Sequence, residues 1–482
     1  SPLVRPIVGS LLPPNTALLS SCREHANALQ KDLGAGFRPA FVLFRARLYE
    51  LLGALPPSTL SAKLLNIVMP LVVADLVDPS ATLAPTCNAL VPMLDGDDAP
   101  LGAATDDERL PEPMRDGLSE FAFSACDSFR ELRGTGAAAT SESLALAAAV
   151  RLFASVFRLQ TSEVRMQLLG HLGTAAAKAA EKAAKDARGG VFGVGGSKEN
   201  TGLSPVLANV SSALLGSLTQ LRLKPSKSPL VPSLAGRIDE ILTPCLGDTD
   251  PAVRRAAAQA VCVTAELIGA GYTIKFVADA QKKLADPKTR DDYKSGLALA
   301  LGWLARANAA VAESGGVGPL PPVGGPSTGC GVPLKQIVTT LGDCAGDSTG
   351  LACEWATHAL ASIARAASTD AVPRAEFRST ASVCLGVASS LCLSEPPPNA
   401  HTAHAIARLS SSIVHALASD DAVHAAASKG GKMANNIATT VNRCGVVNGA
   451  ACVLAPTAAL QAEALHHSCA VLPLPPSLRP KA

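Results

Sequence analysis

The sequence predicts an all-α fold in which paired helices stack one after another as a solenoid, and three observations predict it. Alanine and leucine recur in long blocks such as 174–187 and 256–260. Both favour helices, because alanine loses no side-chain entropy and leucine little, and alanine lets neighbouring helices approach closely. Aromatic residues make up only 3% of the chain, and the Val/Ile/Thr-rich alternation of a β-sheet is missing. Finally, 482 residues that are 48% hydrophobic bury ample apolar surface but are too many for one compact helical domain, so the chain must divide or stack.

A first helical hairpin is legible near the start. Phe37, Phe41, Phe44, Leu48, Leu51, Leu52 and Leu55 advance by threes and fours along one stripe, and Pro56-Pro57 ends the helix. Ser58 then suits the cap of a second helix carrying Leu60, Leu64, Ile67, Val68, Leu71 and Val72. Two amphipathic helices joined by a short turn are the repeating unit of a solenoid.

The clearest repeat lies mid-chain, where Leu246, Asp248, Asp250, Pro251, Val253, Arg254, Ala257, Ala260 and Val261 follow the consensus of the second helix of a HEAT repeat. Each residue type has a reason. Asp250 accepts from free amides at the helix start, and Pro251 fits the first turn because its missing N–H would have had no partner there. Val253, Ala257, Ala260 and Val261 form the buried face. In HEAT arrays the arginine at the position of Arg254 commonly meets an aspartate of a neighbouring repeat, and Asp248 is the matching aspartate expected here.

Weaker copies follow. Asp286-Pro287 precedes a helix with Tyr293, Leu297, Ala300, Leu301 and Leu304; equating Ala257 with Gly296 gives a spacing of 296 − 257 = 39 residues, close to the roughly 40 to 47 of HEAT and armadillo units. Leu341-Gly342-Asp343 precedes Leu351, Trp355, Ala359, Leu360 and Ile363. A further copy runs through Val383, Leu385, Val387 and Leu391, then past Pro396-Pro397-Pro398 into Ala405, Ile406, Leu409, Ile413 and Leu417. The expected architecture is a HEAT/armadillo-like α-solenoid, a right-handed superhelix of antiparallel helix pairs running through residues 1–482 as one continuous segment. Because the first residue is serine, the chain is expected to be a fragment or a processed product, and the segment to belong to a longer protein. The acidic stretch 95–116 and the Gly/Pro-rich stretches 188–201 and 314–331 bury too little apolar surface to offset ordering and are expected to be mobile.

Charge and cysteine usage narrow the function classes. With 42 basic and 40 acidic residues the formal charge is +2, so no general electrostatic claim on nucleic acid or an anionic bilayer is supported. No run of roughly 18 uncharged apolar residues suggests a membrane span, and residues 1–9 lack the pattern of a signal peptide. The thirteen cysteines are scattered singly without a Cys-x-x-Cys pair. They read as small apolar core residues in a reducing cytosol.

Candidate chemistry fares poorly against simpler readings. The glycines of 190–198 end in Gly-Ser-Lys and follow an alanine-rich helix, whereas a phosphate loop needs a preceding strand and Gly-Lys-Ser/Thr. His401, His404, His415, His424 and the adjacent His466-His467 lack a cysteine or carboxylate at close spacing to complete a zinc site. Arg222, Lys224 and Lys227 form a basic cluster too small for lipid binding and read as a solvated loop. Glu181 and Lys185 on the helix 175–188 are an i, i+4 pair of modest support. There is no Gly-x-Ser-x-Gly elbow and no His-Glu-x-x-His motif. No catalytic residue, cofactor site or metal site is expected, and the protein is expected not to be an enzyme.

Several segments resemble the HEAT repeat-containing protein 5 family, very large cytosolic solenoids that include the plant SWEETIE protein. Phe44–Leu52, with Arg45, Arg47, Tyr49 and Glu50, followed by Leu55-Pro56-Pro57, looks like a segment of that family. Ser295–Leu304, with Gly302, resembles its SLALGCL helix, and Trp355–Ile363, with His358, its WALHSLALI helix. The order agrees as well: arginine-rich helix, acidic insertion, Asp-Pro repeat, then these two helices. The resemblance covers roughly residues 37–420, a middle slice of such a protein, and departs from it at 314–331 and after Asp420. It implies membrane trafficking: protein contacts with clathrin adaptor subunits or accessory proteins, endosome-to-Golgi retrieval, endocytosis, and a cytosolic location peripheral to Golgi and endosomal membranes. The alternative is another HEAT-type adaptor, nuclear transport or translation-associated, and after it an enzyme built on a helical array.

Overall fold

The computed structural model describes residues 112–129, 137–189, 205–223, 232–313, 332–347, 350–369, 372–395, 397–454 and 457–479, with isolated helical positions between 47 and 94. The hairpin expected over 37–72 lies outside the described residues apart from Arg47, Glu50 and Ala54, and so do 95–111, 190–201 and 314–331 of the segments expected to be mobile. All regular elements among the described residues are helices: α1 (Glu112–Ser128), α2 (Ala137–Leu159), α3 (Ser162–Gly189), α4 (Pro205–Leu223), α5 (Ala235–Leu246), α6 (Pro251–Ile268), α7 (Ala270–Ala285), α8 (Asp291–Glu313), α9 (Leu334–Asp347), α10 (Leu351–Ser368), α11 (Arg374–Cys392), α12 (Ala400–Ala418), α13 (Asp421–Lys429), α14 (Lys432–Leu454) and α15 (Ala458–Val471), with short 3-10 turns at Pro232–Leu234 and Pro476–Leu478. The chain divides into two compact units, Ser1–Ile241 and Leu242–Ala482.

In the first unit, α2 packs on α4 and α1 packs on α3, while α1 pairs with α2 and α3 with α4. Phenylalanine anchors the seam: Phe129 meets Phe153 edge-on at 5.6 Å, and Phe153 lies 6.1 Å from Phe157. The turn between α2 and α3 is closed by a buried guanidinium. Arg165 donates from Nε to the Phe157 carbonyl (3.1 Å) and from Nη2 to that of Arg158 (2.5 Å), so the last carbonyls of α2 keep partners out of water. The Glu181 and Lys185 pair forms at 2.7 Å on the exposed face of α3.

The second unit has two layers. The second helix of each pair packs on the next such helix, α6 on α8, α8 on α10, α10 on α12 and α12 on α15. The first helices form the other layer, with α7 against α9, α9 against α11 and α11 against α14. Pairing within repeats joins the layers, as α7 with α8, α9 with α10 and α11 with α12. This is an all-α HEAT/armadillo-like solenoid, in which apolar stripes are buried between consecutive repeats. Helix starts are capped by side-chain oxygens: Asp250 accepts from Ala252 N–H, Asn399 from Thr402, Asp420 from Ala422 and Thr457 from Leu460. Asp286 serves differently. It ends α7, and its carboxylate accepts from Lys288 N–H in the turn that precedes α8.

By length and composition α14 could cross a membrane. In the fold, Ile437, Val441, Cys444, Val447 and Ala451 are buried, and Asn448 donates to the Ala407 carbonyl of α12 at 3.1 Å. Arg443, near its middle, donates to Ser389 of α11.

Small residues on α8 set its distance from the end of α5 and from α10. A Cβ on Gly296 would run into the main-chain carbonyl oxygen of Leu246 and lie 2.8 Å from its carbon, and one on Gly302 would come within 3.0 Å of the Ala359 Cβ and 3.3 Å of its Cα. Backbone cannot yield as a side-chain tip can, so Gly296→Ala should cost about 3 kcal/mol, at the upper end of overpacking effects. Denaturant unfolding of this variant within about 0.5 kcal/mol of the parent would show that the approach is not as tight as described.

Candidate functional site

The surface with the most chemistry is the face of the second-helix layer in the second unit, and its first member is Arg254. Asp250 and Pro251 start α6 as expected, and Val253 and Ala257 are buried. Arg254 is only 2% exposed. Its Nη1 donates to the carbonyls of Asp248 (2.7 Å) and Thr249 (3.0 Å), and the carboxylate it faces is Asp292 of the next repeat, at 3.6 Å. The expected partner, Asp248, therefore meets Arg254 through its main chain, while its carboxylate accepts from Asp250 N–H at 2.7 Å. A turn whose carbonyls point inward needs a donor, and a forked guanidinium serves two at once. Burial lowers the Arg254 pKa, against the pull of Asp292 and Asp248, and burial raises that of Asp248.

Beyond Arg254 the side chains form a ladder across successive helices. The guanidinium stands 5.9 Å from the Trp355 ring on α10, Trp355 is 5.6 Å from His358, and His358 meets His404 of α12 edge-on at 5.8 Å. His404 then faces Glu463 of α15 at 3.7 Å, and Glu463 accepts from Ser411 Oγ at 3.1 Å and lies 3.8 Å from His466. His466 sits 4.2 Å from the ring of His415. Burial, then the nearby Arg408, push His358 down to about 4; burial likewise lowers His415, beside His466 and Arg365, and His467. Burial raises Glu354, while His401, Arg254 and His404 oppose it.

A second cluster lies on the same layer. The Arg306 guanidinium on α8 stacks over Trp303 at 4.5 Å and donates to Ser362 of α10 at 3.4 Å. Arg365 follows Ser362 by one turn, and Arg408 projects from the partly exposed face of α12.

Of the residues singled out by sequence, Trp355 and His358 join the ladder and Gly302 sets the spacing behind it. Arg47 and Glu50, two exposed helical positions, pair at 2.5 Å; Arg45 and Tyr49 lie outside the described residues, as do the glycines of 190–198, Lys224 and Lys227. Sequence reasoning overlooked Asp292, Trp303, Arg306, Arg408 and Glu463. The i, i+11, i+14 spacing of Asp292, Trp303 and Arg306 was the available signal for one partly exposed stripe. Among the described residues no three His, Cys, Asp or Glu side chains are placed to hold a metal ion. Most described cysteines are buried, and burial pushes the Cys245, Cys384 and Cys444 thiols up to about 12, far from a reactive thiolate.

The fold and this surface define a class: a helical solenoid of the HEAT/armadillo kind that presents a polar and aromatic ladder along its layer of second helices. No protein-family model and no curated protein matches the sequence. Among solved structures the chain is similar to the karyopherin Kap121p bound to the extreme C-terminus of the protein phosphatase Cdc14p, at 13% identity and a TM-score of 0.41, over 93% of this chain and 44% of that one. Two mutant forms of Kap121p match at 12% identity and a TM-score of 0.40, over 93% and 95% of this chain and 43% and 44% of theirs. The chain spans less than half the length of these structures.

Replacing Arg254 by methionine keeps the bulk but strands one buried and one part-buried carbonyl, so Arg254→Met should destabilise the chain by about 2–4 kcal/mol. Asp292→Asn should cost about 1 kcal/mol or less, since that pair is longer and partly wet; equal losses would point to the ion pair instead of the carbonyl contacts. Acid should also weaken the fold. His358, His415 and His467 bind protons more readily unfolded than folded, so stability should fall as pH drops from about 6.5 towards 4, opposed near the lower end by the raised carboxyls of Asp248 and Glu354. Thermal melting across that window measures the slope, and His358→Gln should flatten it; an unchanged slope in that variant would remove His358 from the account.

Proposed function

We propose that this chain is a non-catalytic scaffold that holds protein partners along the second-helix layer, as one segment of a large HEAT solenoid akin to the HEAT repeat-containing protein 5 family. The observation that carries the reading is the ladder itself. It draws Arg254, Trp355, His404 and Glu463 from α6, α10, α12 and α15 and runs across the repeats, so its groups are spread along a surface and do not converge around one reacting atom. Elongated surfaces of this type suit extended segments and other subunits.

The segments around Phe44–Leu52, Ser295–Leu304 and Trp355–Ile363 support the finer part of the reading: clathrin-adaptor-linked endosome-to-Golgi retrieval and endocytosis, from the cytosolic side of Golgi and endosomal membranes. Proximity labelling of the intact protein in its own cell tests it. Adaptor subunits and their accessory proteins should be enriched, with punctate Golgi and endosomal signal. Labelling dominated by nuclear-pore or ribosomal proteins, without adaptors, would replace trafficking by a nuclear transport or translation-associated adaptor.

A further inference from the structure

The second-helix layer carries an imbalance of charge that the ladder does not use. Two of its carboxylates are engaged, Asp292 with Arg254 and Arg290, and Glu463 with Ser411, His404 and His466, while Glu354 on α10 lies in the field of His401, Arg254 and His404. Three guanidiniums are not matched in this way. Arg306 rests on Trp303 and Ser362, Arg365 stands one turn beyond Ser362, and Arg408 rises from the neighbouring α12; none forms an ion pair among the described residues. Helical periodicity puts them on one surface. Trp303 and Arg306 share the partly exposed stripe of α8, Trp355, His358, Ser362 and Arg365 that of α10, and His401, His404 and Arg408 that of α12.

We infer that this surface binds an extended, carboxylate-rich peptide segment lying across α8, α10 and α12, with Arg306, Arg365 and Arg408 pairing its acidic side chains and Trp303 and Trp355 contacting the chain between them. Axes of packed helices lie roughly 8–10 Å apart, and an extended chain rises about 3.3 Å per residue. Successive helices therefore meet about every third residue of the peptide. Guanidiniums pair carboxylates through forked hydrogen bonds and stack on aromatic faces, which is how Arg306 already sits on Trp303. A bare phosphate would exploit one such group; a surface that spreads three across three helices, beside two tryptophans, favours a polymer bearing several carboxylates and apolar parts. The inference rests on the scaffold reading and names the chemistry of its partner.

Intrinsic fluorescence reads the site directly, because Trp303 and Trp355 are the two tryptophans of the sequence and both are partly exposed on this face. The probe is a peptide of about twelve residues with glutamate at every third position and Gly or Ser between, and the control replaces glutamate with lysine. With the full chain at about 0.15 M salt, the glutamate probe should shift the emission saturably and the lysine probe should not. A variant carrying R306E, R365E and R408E should bind the glutamate probe at least about tenfold more weakly and respond to the lysine probe. All three side chains are partly or fully exposed, so its helical circular dichroism should match the parent; Lys282→Glu, exposed on α7, should bind as the parent does. Equal responses to both probes, full affinity in the triple variant, or the same shift with inorganic phosphate alone would overturn the inference. Should the triple variant not fold, Arg408→Gln decides, with about threefold weaker binding expected and unchanged affinity counting against it. Loss of adaptor labelling with the fluorescence response intact would remove the trafficking reading and leave this one in place.

Discussion

Close approach of α8 to the end of α5 and to α10 governs the second unit. Gly296 has no room for a Cβ against Leu246, and Gly302 has almost none against Ala359. Alanine extends the same condition along α10 and α12, where Ala356, Ala359, Ala364, Ala403 and Ala407 are all buried. A layer built from small residues gains dispersion contacts from backbone proximity that larger side chains would hold apart. The 3% aromatic content follows from this, because a large ring in the seam would open the spacing that lets groups on adjacent helices touch.

That proximity raises a second problem, the polar groups left at each turn. Carbonyls at helix ends have no partner within the helix, and close packing shields some from water. Arginine answers it repeatedly. Arg165 closes the turn after α2, Arg254 the turn before α6, and Arg479 donates to the carbonyls of Leu472 (2.7 Å) and Leu474 (2.8 Å). Counting such residues as surface charge would misjudge them, since their guanidiniums act as donors to main chain before they act as cations. The same view explains why the pair between Arg254 and Asp292 is long: the shorter contacts go to the carbonyls.

Function follows from geometry that repeats. Each second helix contributes one narrow stripe to the same surface, so chemistry is laid out in a row, and the ladder from Arg254 to His415 is held by contacts between helices far apart in sequence. Burial disfavours the charged form of His358 and His415 in this row, while Arg306, Arg365 and Arg408 leave one part of it cationic. Such a surface selects partners by the spacing of charge along a chain more than by a single pocket.

Helical content, the stacked repeat and its start at Asp250-Pro251 were legible in the residues, because propensity, period and capping act over a few positions in sequence. The copies through Trp355 and Ala405 were legible for the same reason. The partner of Arg254 was not: Asp248 is close in sequence, but the carboxylate that faces it lies on the next repeat at Asp292, and only the packing of α6 on α8 decides that. His404 looked like a stray histidine because Glu463, which faces it, comes from another helix, whereas His466 shares α15 with Glu463 three residues earlier, a local pairing that was overlooked. Local preference is written along the chain, whereas the company a side chain keeps depends on how far apart the helices settle.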